Sequence, residues 1–253
     1  MKKKVIYRLY LAVRWLVWLF SPKMTVEGAE NLPKGEACII VGNHCQMNGP
    51  IACELYSPVD RYTWCAGQMM EWKEVHTYAY QDFWSQKPRW THPFYKLLSY
   101  VITPLAVLLF NNAQTIPVYR DARVMITFRK SVSRMLEGAS LVIFPEHDAP
   151  YNHILYEFQE RFVDVARLYF KKSGRAAAFV PLYIAPTLGR MVYGKPVRFD
   201  PLAPIERERE RICEAMREEI TALAEALPRH TVVPYRNIPK KYYPTNMPEE
   251  SAP

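Results

Sequence analysis

The sequence predicts an α/β fold: a single domain with a mixed, largely parallel sheet flanked by helices, preceded by an N-terminal amphipathic, membrane-associated helix. Three observations predict it. Apolar strand-like runs alternate with segments of helical periodicity along the 253 residues. Residues 37–41 (ACIIV) are continuously apolar between turn formers, as in a strand buried on both faces. Sharp polar clusters follow such strands directly, where open α/β sheets gather functional side chains.

Composition narrows the class. Hydrophobic residues make up 49% and charged residues 23%, which supports a packed core and argues against global disorder. The net charge of +8 favours anionic partners: nucleic acid, phosphorylated substrates or an anionic bilayer face. The chain has no zinc-finger spacing, helix-turn-helix signature or basic-aromatic ribonucleoprotein motif, so nucleic acid is not expected. Basic residues concentrate beside an apolar N-terminus, which favours the bilayer. The five cysteines form no CxxC pair and read as scattered reduced thiols of a cytoplasmic protein.

The elements follow in order. Lys2, Lys3 and Lys4 precede the apolar stretch 5–20, and no small-residue cleavage site follows it. Arg8 and Arg14 interrupt the stretch, leaving too few uncharged residues for a span. At 100° per residue Lys3, Lys4, Arg8 and Arg14 share one arc, with Leu9, Val13, Leu16 and Phe20 off it. Such a helix lies in a membrane interface, or else packs on the protein's own core. Residues 1–23 are therefore expected as an interface helix, 24–230 as the α/β domain, and 231–253 as a proline-rich tail poorly ordered at its end.

Within the domain, strands are expected at 24–27, 37–41, 61–66, 114–119, 141–144 and 178–184, with a hairpin around Gly194 over 191–199. Helices are expected from Pro50, over 121–137, over 155–172 and over 205–227; the last has Ile212, Met216, Ile220, Leu223 and Leu227 at helical spacing. Residues 68–92 are polar, aromatic and without a clear period. Residues 94–110 are apolar and broken by Pro104, suited to a groove wall or a second membrane contact.

Four clusters could carry chemistry. Asn43-His44 ends the strand 37–41, and a histidine there can serve as general base near neutral pH. Arg120 ends the run Ile116-Pro117-Val118-Tyr119, where its planar fork suits phosphate. Phe144-Pro145-Glu146-His147-Asp148 places a carboxylate first after a strand, and Val180-Pro181 sit in an apolar block.

Together and in this order the clusters resemble the glycerolipid acyltransferase family of the 1-acyl-sn-glycerol-3-phosphate acyltransferase type. Its motifs are Asn-His-x-x-x-x-Asp, Pro-Val-x-Arg, Phe-Pro-Glu-Gly and an apolar Val-Pro block; the likeness spans residues 37 to 186. The resemblance implies an acyltransferase of phospholipid synthesis, acting at the cytoplasmic face of the cell membrane as a peripheral or monotopic protein. It would move an acyl group from acyl-coenzyme A or acyl carrier protein to a lysophosphatidic acid or related lysophospholipid, with no cofactor and no metal. His44 would be the base, Arg120 a phosphate ligand and Glu146 an acceptor-binding partner. Asn43, Pro145, Val180 and Pro181 would belong to the substrate site.

The departures are specific. The motif aspartate falls on Gly49, and His147 replaces the glycine after Glu146. Loss of such an aspartate costs a serine-protease triad about 10⁴ in rate. Glu146 or Asp148 could supply a carboxylate instead and so share the catalytic work. Two other readings compete: a non-catalytic lipid-binding homologue, and a metal-dependent hydrolase using His147, Asp148 and His153. Cys45 as a nucleophile is disfavoured, since adjacent side chains of an extended segment point to opposite faces.

Overall fold

The computed structural model describes residues 2–85, 87–119 and 121–247, with Lys2, Lys3, Asp148 and Ala149 described by backbone alone. The elements run α1 (Lys2–Phe20), β1 (Thr25–Glu27), β2 (Cys38–Gly42), α2 (Asn48–Tyr56), β3 (Arg61–Ala66), α3 (Val75–Ala79) and α4 (His92–Asn112). They continue with β4 (Thr115–Val118), α5 (Val124–Leu136), β5 (Ser140–Ile143), β6 (Glu146–Tyr151), β7 (Tyr156–Phe158) and α6 (Asp164–Ser173). β8 (Ala178–Ala185), β9 (Arg190–Tyr193), β10 (Val197–Arg198) and α7 (Ile205–Glu225) complete the α/β order. The class is as expected, a mixed and mostly parallel sheet with flanking helices.

The chain forms two compact units: Met1–Ser21 with Thr63–Lys130, and Pro22–Tyr62 with Ser131–Pro253. In the larger one the strands lie in the order β1-β9-β8-β2-β5. β2 runs parallel to both β5 and β8, with Val41 opposite Ile143 and Pro181. Every residue of β2, β5 and β8 is buried, which is why their sequences are near-continuous apolar runs instead of alternating ones. α7 covers β8, burying Ile212, Met216 and Ile220 one helical turn apart.

Two segments of this unit differ from the sequence expectation. Residues 155–172 are not one helix: Tyr156–Phe158 form β7, which pairs antiparallel with β6, and α6 begins only at Asp164. Glu146 lies opposite Phe158 and Tyr151 opposite Tyr156, so pairing with a partner strand overrides the local helical period. Residues 191–199 are not a hairpin either. β9 and β10 both pair antiparallel with β8, at residues 182–185 and 178–179, and lie along the same edge of it. Gly194, between them, donates its N–H to the Pro181 carbonyl at 2.9 Å.

In the smaller unit β3 pairs parallel with β4, and a core forms around Met69, Val75, Ala79 and Ala106. α4 is a continuous helix through Pro104, and Arg89–Asn112 is long and apolar enough to cross a membrane. Its amphipathicity is inverted. Ser99, Thr103 and Ala106 are buried, while Phe94, Leu97, Val101 and Leu105 form an exposed stripe on the opposite face. The two inward hydroxyls are satisfied within the helix, Ser99 Oγ by the Lys96 carbonyl at 2.7 Å and Thr103 Oγ1 by the Ser99 carbonyl at 2.9 Å. α1 packs on α4; Tyr10 is buried, and Val5, Leu9, Trp15, Leu16 and Phe20 are exposed. A water-soluble helix turns the other way, so this pattern fits a lipid-facing surface.

Candidate functional site

Adjacent parallel strands bring His44 and Glu146 together. Val41 and Ile143 are register partners, and both side chains follow three residues later, so both loops leave the same edge of the sheet. The His44 backbone N–H donates to Glu146 Oε1 at 2.6 Å. The other carboxylate oxygen accepts the Tyr156 N–H at 3.1 Å. Glu146 is 3% exposed, and burial raises its carboxyl to about 7 against the pull of these two donors. Its oxygens thus hold two backbones, tying the β2 loop to β7.

Asn43 is equally committed. Its amide donates to the Ile184 carbonyl at 3.0 Å, and its Oδ1 accepts the Ile184 N–H at 2.7 Å, which pins the end of β2 to β8. Pro145 is buried and its carbonyl accepts the Gln159 N–H. Val180 and Pro181 lie inside β8, buried in the core of the sheet.

The His44 loop is unusually tight. Cys45 and Gln46 both adopt left-handed backbone, with φ of 36° and 57°, a conformation that costs non-glycine residues energy and gathers at functional sites. The Gly49 N–H closes the loop onto the His44 carbonyl at 3.2 Å. A Cβ at Gly49 would stand 2.5 Å from that carbonyl oxygen and 2.9 Å from the Asn43 carbonyl. The glycine is a steric requirement of this loop, which has no room for an aspartate on the present backbone.

The consequence is visible on the ring. His44 Nδ1 is buried and no group among the described residues meets it in good hydrogen-bond geometry; the Gln46 backbone favours the protonated ring, but burial outweighs it. Glu146 meets the His44 backbone and leaves the imidazole without a carboxylate from that side. Desolvation lowers the imidazole to about 4, so it is neutral at physiological pH. Two aromatic rings meet it edge-on: Phe144 at 5.3 Å and 71°, and Tyr235 at 5.4 Å and 75°. As a whole residue His44 is half-buried.

Arg120 lies outside the described residues, and so does the side chain of Asp148. Tyr119, beside Arg120, seats its ring against Gly67, where any side chain would collide with it. Among the described residues no group of three histidine, cysteine, aspartate or glutamate side chains converges for a metal ion. His147 is exposed, and His153 Nε2 pairs with Glu225 Oε1 at 3.1 Å. Cys45 is fully buried and burial holds its thiol well above the ordinary range, so it carries no thiolate.

The C-terminal segment also reaches the His44 loop, a placement not expected from its sequence. Tyr235 touches His44 and Tyr156, and Gln46 Nε2 donates to Tyr243 Oη at 2.8 Å and to the Arg236 carbonyl at 3.3 Å. The only signal in the sequence was aromatic residues inside a proline-rich tail.

The fold and the placement of these groups define an open α/β sheet whose polar machinery sits at the C-terminal ends of parallel strands. No family model matches the chain, and no curated protein matches it in sequence. Solved structures do match. The fold is similar to that in the crystal structure of the 1-acyl-sn-glycerophosphate (LPA) acyltransferase PlsC from Thermotoga maritima, with a TM-score of 0.51 and 14% sequence identity. The match covers 89% of this chain and 80% of that one.

Proposed function

We propose that the protein is a membrane-associated O-acyltransferase that moves an acyl group from a thioester donor to the hydroxyl of a lysophospholipid. The carrying observation is His44: a neutral imidazole on a half-buried residue whose backbone Glu146 holds, next to the Asn43 that pins the end of the central strand. The fold shared with a lysophosphatidic acid acyltransferase and the lipid-facing stripe of α4 support the same reading.

In this mechanism the imidazole takes the proton of the acceptor hydroxyl as its oxygen attacks the thioester carbonyl. The tetrahedral intermediate collapses, the thiolate leaves, and the imidazolium returns the proton. Glu146 and Asn43 act as positioning residues; Arg120 is the proposed ligand of the acceptor phosphate. With Nδ1 unpartnered, the imidazolium gains no help from a carboxylate. The base is therefore weak, and turnover is expected to be slow for this chemistry.

The unpartnered Nδ1 and Gly49 also favour a second reading, a lipid-binding homologue that does not turn over. The protein in anionic vesicles, given an acyl thioester and lysophosphatidic acid, separates the two. Diacyl product lost in His44→Ala, by a factor of about 10² or more, supports the enzyme. Binding of the lysolipid without product, from either donor class, supports the second reading.

A further inference from the structure

We propose that the C-terminal segment 230–246 is a built part of the His44 site, a strap that delivers Tyr235 as a positioning residue for the imidazole. The proposal rests on the acyl-transfer reading of His44, but its physical core is tested separately from it.

The strap has the construction of an Ω-loop, with its two ends clamped together and its middle projecting. Thr231 bridges Thr245, and the Val232 N–H donates to the Pro244 carbonyl at 2.9 Å. Asn246, fully buried, accepts the His230 N–H at 2.8 Å and donates to the Ala224 and Leu227 carbonyls at 2.9 and 3.1 Å. That fixes the base of the loop to the end of α7. His230 Nδ1 faces the Pro228 carbonyl at 2.8 Å, while Nε2 meets the Tyr183 hydroxyl of β8, also at 2.8 Å. Thr187 Oγ1 donates to the Thr231 carbonyl at 3.0 Å.

From this anchored base the middle of the strap reaches the His44 loop. Gln46, in its left-handed conformation, grips Tyr243 and the Arg236 carbonyl. Arg236 lies over the Tyr156 ring at 5.5 Å, and Tyr156 is the residue whose N–H is held by Glu146. Tyr235 is thereby fixed edge-on to the imidazole. A tail serving only to fill the surface would not be latched to the strained loop that carries the histidine.

The strap thus supplies, by packing, what position 49 does not supply by charge. A carboxylate on Nδ1 restricts ring rotation through one directed hydrogen bond. Here Phe144 and Tyr235 restrict it through edge contacts, while keeping water from the Nδ1 side. Among the described residues, Cys45 and Glu146 on the strand-end loops, and Tyr156, Tyr235 and Arg236 on the elements packed beside them, are ionisable, and none of them gives Nδ1 a hydrogen bond.

The test uses the full chain in vesicles of phosphatidylcholine and phosphatidylglycerol, with Tyr235→Leu to remove the ring, Tyr235→Phe to keep it, and Tyr243→Phe to cut the latch. The titration of His44 is followed by NMR with histidine-selective labelling; the chain has six histidines, and His44→Gln identifies the signal. Tyr235→Leu is expected to move the titration up by one unit or more toward 6.5, Tyr243→Phe by less, and Tyr235→Phe to restore it. With acyl thioester and lysophosphatidic acid, kcat is expected to fall about tenfold in Tyr235→Leu with KM within twofold. A His44 titration unmoved in both Tyr235→Leu and Tyr243→Phe overturns the strap, whatever the activity. A shifted titration with unchanged or increased turnover also overturns it, the increase marking an inhibitory cover instead. A parent protein without turnover removes the acyl-transfer reading, and the titration alone then decides whether the strap holds the ring.

Discussion

β8 and α4 are built on opposite rules. β8 buries every side chain from Ala178 to Ala185, and its polar neighbours are satisfied by named partners such as Asn43. α4 buries Ser99 and Thr103 and turns Phe94, Leu97, Val101 and Leu105 outward, the last of these still 45% exposed. In water an exposed apolar stripe of this kind has no compensating gain, whereas each large side chain moved into hydrocarbon gains about 1.5–3 kcal/mol. The contrast separates a region that follows an aqueous core-and-surface rule from one whose pattern fits a lipid-facing surface. A helix of this kind suits the amphiphilic substrates proposed for the His44 site.

The largest effect should come from attacking the lipid rule directly. Leu97→Glu with Val101→Glu should lower binding to anionic vesicles by 100-fold or more in a sedimentation assay, from about 3–6 kcal/mol of lost apolar transfer. Thermal stability in detergent should change little, because neither side chain is buried. A fall in Tm equal to that of a core truncation would mean that α4 packs on protein, and the comparison would break.

On the other side of the comparison, Gly49→Asp should fail as a repair. Its Cβ meets the His44 carbonyl oxygen at 2.5 Å, so the loop must shift at a cost of roughly 3 kcal/mol. Both Tm and turnover should drop; a variant faster than the parent would show that the loop accepts a carboxylate after all.

A smaller and pH-dependent effect belongs to Glu146. Its folded value of about 7 lies above its ordinary 4.5, so the folded state holds the proton more tightly and stability is lost as pH rises through that window. The loss is roughly 3 kcal/mol when the whole window is crossed. His44 has the opposite sign: its folded value of about 4 lies below 6.5, so its contribution is present above 6.5 and lost as pH falls toward 4. Over pH 5 to 8 these effects oppose each other, and the lowered His230 adds to the His44 side, so the Glu146 loss is read as the difference between the unfolding curves of the parent and Glu146→Gln. A difference that does not change between pH 5 and 8 would contradict the buried carboxyl.

Smallest of all is a displacement of the kinetic profile. The acid limb of kcat/KM should lie near 4 in place of 6.5, since the imidazole must lose its proton to act as base. A limb at 6.5 would mean that the working ring is more hydrated than the resting one.

Much of this was legible in the residues. The continuous apolar runs of β2, β5 and β8 announced strands covered on both faces, because burial on two sides removes the polar alternation of a one-sided sheet. The ends of those strands marked Asn43, His44 and Glu146, and chain order alone brings parallel neighbours to one edge. The helix α7 was visible as an apolar period and Gly49 as a departure, whereas 94–110 was legible only as an apolar run broken by Pro104 and not as the helix α4. What Gly49 does was not legible, since its cause is the approach of two carbonyl oxygens within one loop. Nor was β7, whose helical period gave way to pairing with β6, or the partition of the Glu146 oxygens between two backbones. The strap was hidden for the same reason. Local sequence sets period and backbone freedom, but which buried nitrogen finds a partner, and which tail ring lies against it, depends on groups far apart in the chain, and only packing brings those together.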